Sequence, residues 1–209
     1  MNKKIYFVTA TNTDIGKSYA CEVFLKKFAQ EGKKVGYFKP IETGVETLPQ
    51  DGMKLFQIVK SLNSDFPLDI DHIVPYQFKL PAAPFVAKGD TKVDIQLLIY
   101  KAKKILDYCD VLIIEGAGGL MVPIEKNYFM VDLIKTFQNE LNAQTILIAP
   151  SNLGSINDTM LSCAMLESHT INYEWYINLY KDKESFETIT LPFYKEYFDK
   201  INYLKQQRD

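Results

Sequence analysis

Short apolar runs alternate along the chain with longer segments whose apolar residues recur at helical spacing. Ile5-Tyr6-Phe7-Val8 is the first run, and Ala20, Val23, Phe24, Lys27 and Phe28 mark the helix predicted after it. Gly32 stops that helix, and Val35-Gly36-Tyr37-Phe38 predicts a second strand, ended by Lys39-Pro40 because proline cannot continue the ladder. A polar loop is expected from Ile41 to Gly52, then a helix from Lys54 to Ser61 carrying Leu55, Ile58 and Val59. The stretch from Asn63 to Pro84 is rich in proline and aspartate and reads as irregular, with a short strand at His72–Tyr76. Asp94 is a good N-cap for the helix marked by Leu98, Ala102, Ile105 and Cys109. Val111-Leu112-Ile113-Ile114 is a continuous apolar run of the kind found in buried parallel strands. Met130 to Leu141 predicts a helix and Thr145 to Ala149 another buried strand. Ser155-Ile156-Asn157-Asp158 has capping-box form and opens a helix through Met160, Leu161, Ala164 and Met165. Tyr173 to Leu179 reads as a strand, and Phe193 to Gln206 as an aromatic-rich helix.

Strands alternating with helices predict an α/β fold with a mostly parallel central sheet and helices on both faces. Residues 1–209 show no repeat and no linker, so one domain is expected. Ligands of such sheets collect at the carboxyl ends of the strands. Four polar stretches follow apolar runs and so belong there: Thr9–Ser18, Lys39–Gly44, Glu115–Gly119 and Ser151–Asn157.

Composition removes several classes. With 47% hydrophobic and 24% charged residues, the chain is neither disordered nor collagen-like. A net charge of -2 gives no electrostatic reason to expect nucleic acid or an acidic membrane. No apolar stretch is long enough to span a membrane, and the run after Lys3-Lys4 is too short for a signal peptide, so a cytoplasmic protein is expected. Cys21, Cys109 and Cys163 lack metal-ligand spacing and read as buried reduced thiols. His72 and His169 have no partner pattern and suggest neither a metal site nor a nucleophile relay; His169 suits a helix C-terminus.

The chemistry concentrates in Thr9-Ala10-Thr11-Asn12-Thr13-Asp14-Ile15-Gly16-Lys17-Ser18. Gly-Lys-Ser is also an ordinary turn into a helix, and Thr11 stands where a strict phosphate loop has glycine. The strand before it and the helix after it favour phosphate binding. Unpaired N–H groups at a helix N-terminus point at an anion, and the helix dipole favours negative charge there. Gly16 admits close approach of a ligand, Lys17 neutralises phosphate oxygens, and Ser18 offers a hydroxyl to magnesium.

Glu115 ends an apolar strand, where a carboxylate is costly unless it binds a cation or pairs with Lys17 or Lys39. Gly116, Gly118 and Gly119 form either a tight turn or a backbone contact with ligand, and their place beside Glu115 favours the ligand. Lys39 is fixed between a strand and Pro40, and Asp51, taken alone, reads as a helix cap.

These motifs resemble the dethiobiotin synthetase family, ATP-dependent enzymes of biotin biosynthesis with a phosphate-loop NTPase-like fold. The family loop G-T-D-T-x-V-G-K-T is matched by Ala10 to Ser18, and its G-Y-x-K-P with a following S/T-G by Gly36-Tyr37-Phe38-Lys39-Pro40 and Thr43-Gly44. Its E-G-A-G-G is present at Glu115-Gly116-Ala117-Gly118-Gly119, and its L-G-x-I-N at Leu153-Gly154-Ser155-Ile156-Asn157. The resemblance runs from Lys4 to about Asn178 and leaves the tail poorly matched. It implies nucleotide binding by Thr13, Asp14, Ile15, Gly16, Lys17 and Ser18, together with Asp51, Glu115, Gly116, Ala117, Gly118 and Asn178. It implies magnesium on Ser18, Asp51 and Glu115, and so makes Asp51 a ligand rather than a cap. Lys17, Lys39 and Thr13 become catalytic. Lys39, Thr43, Gly118 and Gly119 meet the substrate, with Gly154, Ser155, Ile156 and Asn157 reaching the substrate of a neighbouring subunit in a homodimer.

The implied substrates are 7,8-diaminopelargonate, carbon dioxide and a nucleoside triphosphate. Two departures stand out: Ala10 replaces a family glycine, and the region after Asn178 is too short for the family's full ending, which predicts weak discrimination between ATP and GTP. Two other classes compete. A partitioning or metal-insertion ATPase of the same broad fold commonly has a second lysine early in the loop, where this chain has Thr11. A nucleotide-binding module without small-molecule chemistry has no need of Lys39-Pro40 or of the Glu115–Gly119 run.

Overall fold

The computed structural model describes residues 3–180 and 183–204. In chain order the first half contains β1 (Lys4–Ala10), α1 (Lys17–Gln30), β2 (Val35–Phe38), β3 (Ile41–Thr43), α2 (Gln50–Leu62), α3 (Ile70–Ile73), β4 (Tyr76–Phe78) and α4 (Pro84–Ala87). It continues with α5 (Ile95–Leu106), β5 (Val111–Glu115), β6 (Pro123–Glu125), β7 (Tyr128–Phe129), α6 (Met130–Leu141) and β8 (Gln144–Pro150). The last elements are α7 (Ser155–Ser168), β9 (Tyr173–Asn178), α8 (Lys183–Ser185), a π-helical turn over Phe186–Thr190, α9 (Leu191–Tyr197) and β10 (Asn202–Tyr203).

Six strands form one parallel sheet in the order β10-β9-β8-β1-β5-β2. Successive side chains of a strand point to opposite faces, and β1 shows that both faces are covered. Tyr6 stacks on Phe28 of α1 at 5.2 Å, while its neighbour Phe7 meets Phe137 of α6 at 5.6 Å. Burial on both sides explains why β5 and β8 read as unbroken apolar runs instead of alternating. Each such side chain, removed from water, contributes about 1.5–3 kcal/mol. The α/β architecture expected from the alternation is therefore observed.

Several local expectations need correction. The loop expected after Pro40 contains β3, which leaves the main sheet and pairs in parallel with β4 from Ile41↔Tyr76 to Thr43↔Phe78. The short strand expected at His72–Tyr76 accordingly begins only at Tyr76. His72 instead lies in α3, where the Asp69 side chain accepts from the His72 N–H. Helix α2 begins at Gln50, a turn earlier than Lys54. The Ser155–Asp158 capping box does not form. Gly154 takes the cap position at φ +92°, in the left-handed region that glycine tolerates, so Ser155 is already inside α7. The helix expected from Phe193 to Gln206 ends at Tyr197, and Asn202–Tyr203 then add a parallel edge strand beside β9. Residues 205 and 206 of that expectation lie outside the described residues.

Candidate active site

β1 delivers the chain to the sheet's carboxyl edge, and the loop that follows is held by backbone contacts on several sides. Ala10 is fully buried and ends β1 without a positive φ, so the missing glycine imposes no backbone strain there. The left-handed positions are Asp14 at +58° and Gly16 at +96°. Thr11 N–H donates to Ile148 O at 3.1 Å, and the Asn12 side chain accepts from Thr13 N–H at 2.8 Å. Lys17 Nζ reaches back to Asn12 O at 3.2 Å, and Asn178 Nδ2 donates to Ile15 O at 2.9 Å. A Cβ on Gly16 would collide with that Asn178 amide. The first intrahelical bond of α1 runs from Ala20 N–H to Gly16 O, and no acidic side chain lies in the first turn. The N–H groups ahead of it are therefore left for an anion.

The loop opens onto a cleft of about 390 Å³ lined by Thr13, Asp14, Gly16, Lys17, Ser18, Lys39, Ile41, Glu42, Thr43, Asp51 and Glu115–Gly118. At its floor the buried Lys39 ammonium lies 3.0 Å from Glu115 Oε1 and 3.0 Å from Asp51 Oδ2. Glu42 Oε2 is a further carboxylate oxygen at 4.0 Å. Burial alone would lower Lys39, but Glu115, Asp51 and Glu42 together hold it above its ordinary value. Lys17 goes the other way: burial lowers it, and Lys39 adds to the effect against the pull of Glu115.

Glu115 accepts from Ser18 Oγ at 2.8 Å on Oε1 and from the Tyr37 phenol at 2.6 Å on Oε2. Burial first, and then the Glu115 charge, push Tyr37 well above its usual value, so the phenol stays a donor. Asp51 is not a cap. The N-cap of α2 is Pro49, which has no capping side chain, and the orphan N–H groups of Asp51 and Gly52 go instead to Glu42 at 3.1 and 2.9 Å.

Motif reading gave no role to Tyr37, although it stands in the matched Gly36–Pro40 stretch, or to Glu42, and it did not expect Ile41, Pro81–Pro84 or Val122 along the clefts. For Tyr37 the signal was available. It lies two residues before Lys39, hence on the same side of its strand, and the β2–β5 register sets Phe38 against Ile114, one step before Lys39 and Glu115. Glu42 had no local signal, because its partners belong to a helix whose approach depends on the β3–β4 pairing.

A second cleft of about 380 Å³ adjoins the first through Thr13, Thr43, Ala117 and Gly118, and is closed by Pro81–Pro84 and Val122. The fold thus brings together the phosphate loop, Lys39, Thr43, Asp51 and Glu115–Gly118. It does not bring Gly154–Asn157 into either cleft. That turn sits at the start of α7, beside a third hollow lined by Thr11, Asn12, Gly119–Val122, Asp158, Leu161, Ser162 and Met165. Ile15 and Asn178 do not line the phosphate-loop cleft either; they hold each other.

The donor set suits magnesium. Two carboxylates and a hydroxyl are hard oxygen ligands, and an ammonium already seated between the carboxylates shows that the pair accommodates a cation. Among the described residues no group of three or more His, Cys, Asp or Glu could hold a metal unaided. Magnesium bound with only one or two carboxylates completes its shell with water and phosphate oxygens.

A family model described as an AAA domain matches residues 4–183. The chain is 44% identical over 193 residues to the ATP-dependent dethiobiotin synthetase BioD of Sulfurovum sp. (strain NBC37-1), covering 92% of this chain and 90% of that protein. It is 38% identical over 196 residues to the enzyme of the same name from Wolinella succinogenes, covering 92% and 89%. Among solved structures, a plasmid partition protein from Borrelia burgdorferi superposes with a TM-score of 0.59 at 12% identity, covering 99% of this chain and 92% of that one. The MinC:MinD cell division complex of Aquifex aeolicus gives a TM-score of 0.53 at 18% identity, covering 96% and 79%. At such identities these two likenesses concern the fold alone.

Proposed function

From the premise that this chain belongs to the dethiobiotin synthetase family, we propose that the phosphate-loop cleft holds ATP and the adjoining cleft holds the diamine substrate. The activity is ATP-dependent formation of dethiobiotin from 7,8-diaminopelargonate and carbon dioxide, in biotin biosynthesis. The observation that carries the site assignment is the convergence of Lys17, Lys39, Ser18 and Glu115 in the phosphate-loop cleft, which the second cleft adjoins at Thr13, Thr43, Ala117 and Gly118.

In this reading one amine of the diamine takes up carbon dioxide as a carbamate. A carbamate oxygen attacks the γ-phosphorus of ATP, and ADP leaves. The second amine attacks the carbonyl carbon of the resulting mixed anhydride, closes the five-membered ring and expels phosphate. The protein contributes positioning and charge. The N–H groups at the start of α1 and the Lys17 ammonium cradle the phosphates, whose negative charge opposes the lowering of Lys17 by burial. Lys39 turns from Asp51 towards the carbamate and the transferred phosphoryl group. Thr13 and Thr43, shared by the two clefts, orient the carbamate, with Gly118 beside it; Gly119, expected there too, lines the third hollow instead. Ser18, Asp51 and Glu115 hold magnesium, which when bound neutralises phosphate oxygens.

The homodimer belongs to the same reading. Leu161 and Met121, 63% and 52% exposed, line the hollow beside Gly154–Asn157, and Leu153, 76% exposed, directly precedes that turn. An apolar surface of that kind suits a second copy that places Gly154, Ser155, Ile156 and Asn157 at its partner's substrate. A cytoplasmic setting, where ATP is supplied, agrees with three unpaired thiols. The test is phosphate release from ATP with diamine and bicarbonate supplied singly and together, with the product identified by mass. Release that needs both and yields dethiobiotin supports the reading; equal release without diamine sinks it.

A further inference from the structure

Glu115 is 1% exposed, and its two oxygens face different surroundings. Oε1 lies on the cleft side, where Ser18 Oγ at 2.8 Å and Lys39 Nζ at 3.0 Å reach it. Oε2 is turned inward and takes the phenol of Tyr37, itself fully buried, at 2.6 Å. The two residues are 78 positions apart and meet because β2 and β5 run in parallel register. No residue of the phosphate loop contributes to this contact. A carboxylate tied in this way cannot turn both oxygens to the cleft without orphaning a buried phenol.

We propose that Tyr37 is a positioning residue that keeps Glu115 a one-oxygen ligand and so sets the cation preference of the site for magnesium over calcium. The proposal rests on Glu115 being a magnesium ligand, as argued above. Magnesium takes single oxygens in a small octahedron, whereas calcium has six to eight oxygen neighbours and readily takes both oxygens of one carboxylate. A fixed Oε2 withholds the second oxygen from calcium and takes nothing from magnesium. Losing one buried hydrogen bond to a charged acceptor corresponds to a change of roughly tenfold or more in an equilibrium constant.

The test is calorimetric binding of Mg²⁺ and of Ca²⁺ to the full chain carrying a non-hydrolysable ATP analogue, in the parent, Tyr37→Phe and Glu115→Gln. The ratio of calcium to magnesium dissociation constants is expected to fall about tenfold in Tyr37→Phe. Binding of the analogue in EDTA should be unchanged, which a merely structural defect would not allow. An unaltered ratio in Tyr37→Phe, with Glu115→Gln abolishing metal binding, overturns the role of Tyr37 alone. Unaltered metal binding in Glu115→Gln overturns the ligand assignment and the proposal with it. Should Tyr37→Phe not fold, NMR of the parent decides. The slowly exchanging hydroxyl proton of Tyr37 is expected to persist with Mg²⁺ and analogue bound, and its loss under those conditions overturns the proposal.

Discussion

Replacing Lys39 by alanine removes the ammonium that lies 3.0 Å from both Glu115 and Asp51, and its consequences divide by exposure. The Asp51 side chain is 57% exposed, so water replaces the lysine and that arm contributes about 0–1 kcal/mol. Glu115 is 1% exposed, and removing one partner of a buried pair costs about 3–5 kcal/mol. Ser18 and Tyr37 remain as donors to Glu115, which softens the loss to about 2 kcal/mol. Urea unfolding measures this quantity. Because the carboxylates hold Lys39 above its ordinary value, its stabilisation is complete below the unfolded value of about 10.5 and lost only as pH rises through the raised one. The stability difference should therefore be flat from roughly pH 6 to 9. Turnover should fall further than stability. A charge withdrawn from the transferring phosphoryl group in a sheltered site costs about a hundredfold or more, that is about 2.7 kcal/mol. Dethiobiotin production at saturating ATP and diamine gives the figure, with nucleotide affinity less affected because Lys17 and the loop remain. A folded Lys39→Ala protein that turns over at near-parent rate would refute the reasoning.

Asp51→Asn should raise the magnesium concentration needed for half-maximal activity while the unfolding curve stays close to that of the parent, since Glu42 binds the Asp51 backbone and not its side chain. Overlapping magnesium titrations would remove Asp51 from the ligand set. Sedimentation should show a two-chain species, and mixing Lys17→Ala chains with chains disrupted at Gly154–Asn157 should restore activity through one intact composite site; a fully active monomer contradicts this. ATP and GTP should support turnover within about a hundredfold of each other, because Asn178 Nδ2 is committed to Ile15 O and Leu191-Pro192 forms the first turn of α9 instead of a loop beside the base. A larger preference for ATP would mean that an adenine pocket is built all the same.

What was legible in the sequence is what local chemistry dictates. Val111–Ile114 reads as a buried parallel strand because both of its faces must be apolar, and Gly16-Lys17-Ser18 reads as a phosphate site because glycine, lysine and a helix N-terminus act within a few residues. The alternation of such signals was enough for the fold class. The tertiary structure decided everything that needs two distant backbones at a fixed distance. The Tyr37–Glu115 bond spans 78 positions and exists only through the β2–β5 register. Glu42 caps α2 in place of a local side chain because β3 leaves the sheet and carries it to that helix. Asn202–Tyr203 became a strand and not the end of a helix because β9 offered a free edge, and an unpaired row of N–H and C=O groups outweighs weak helical spacing.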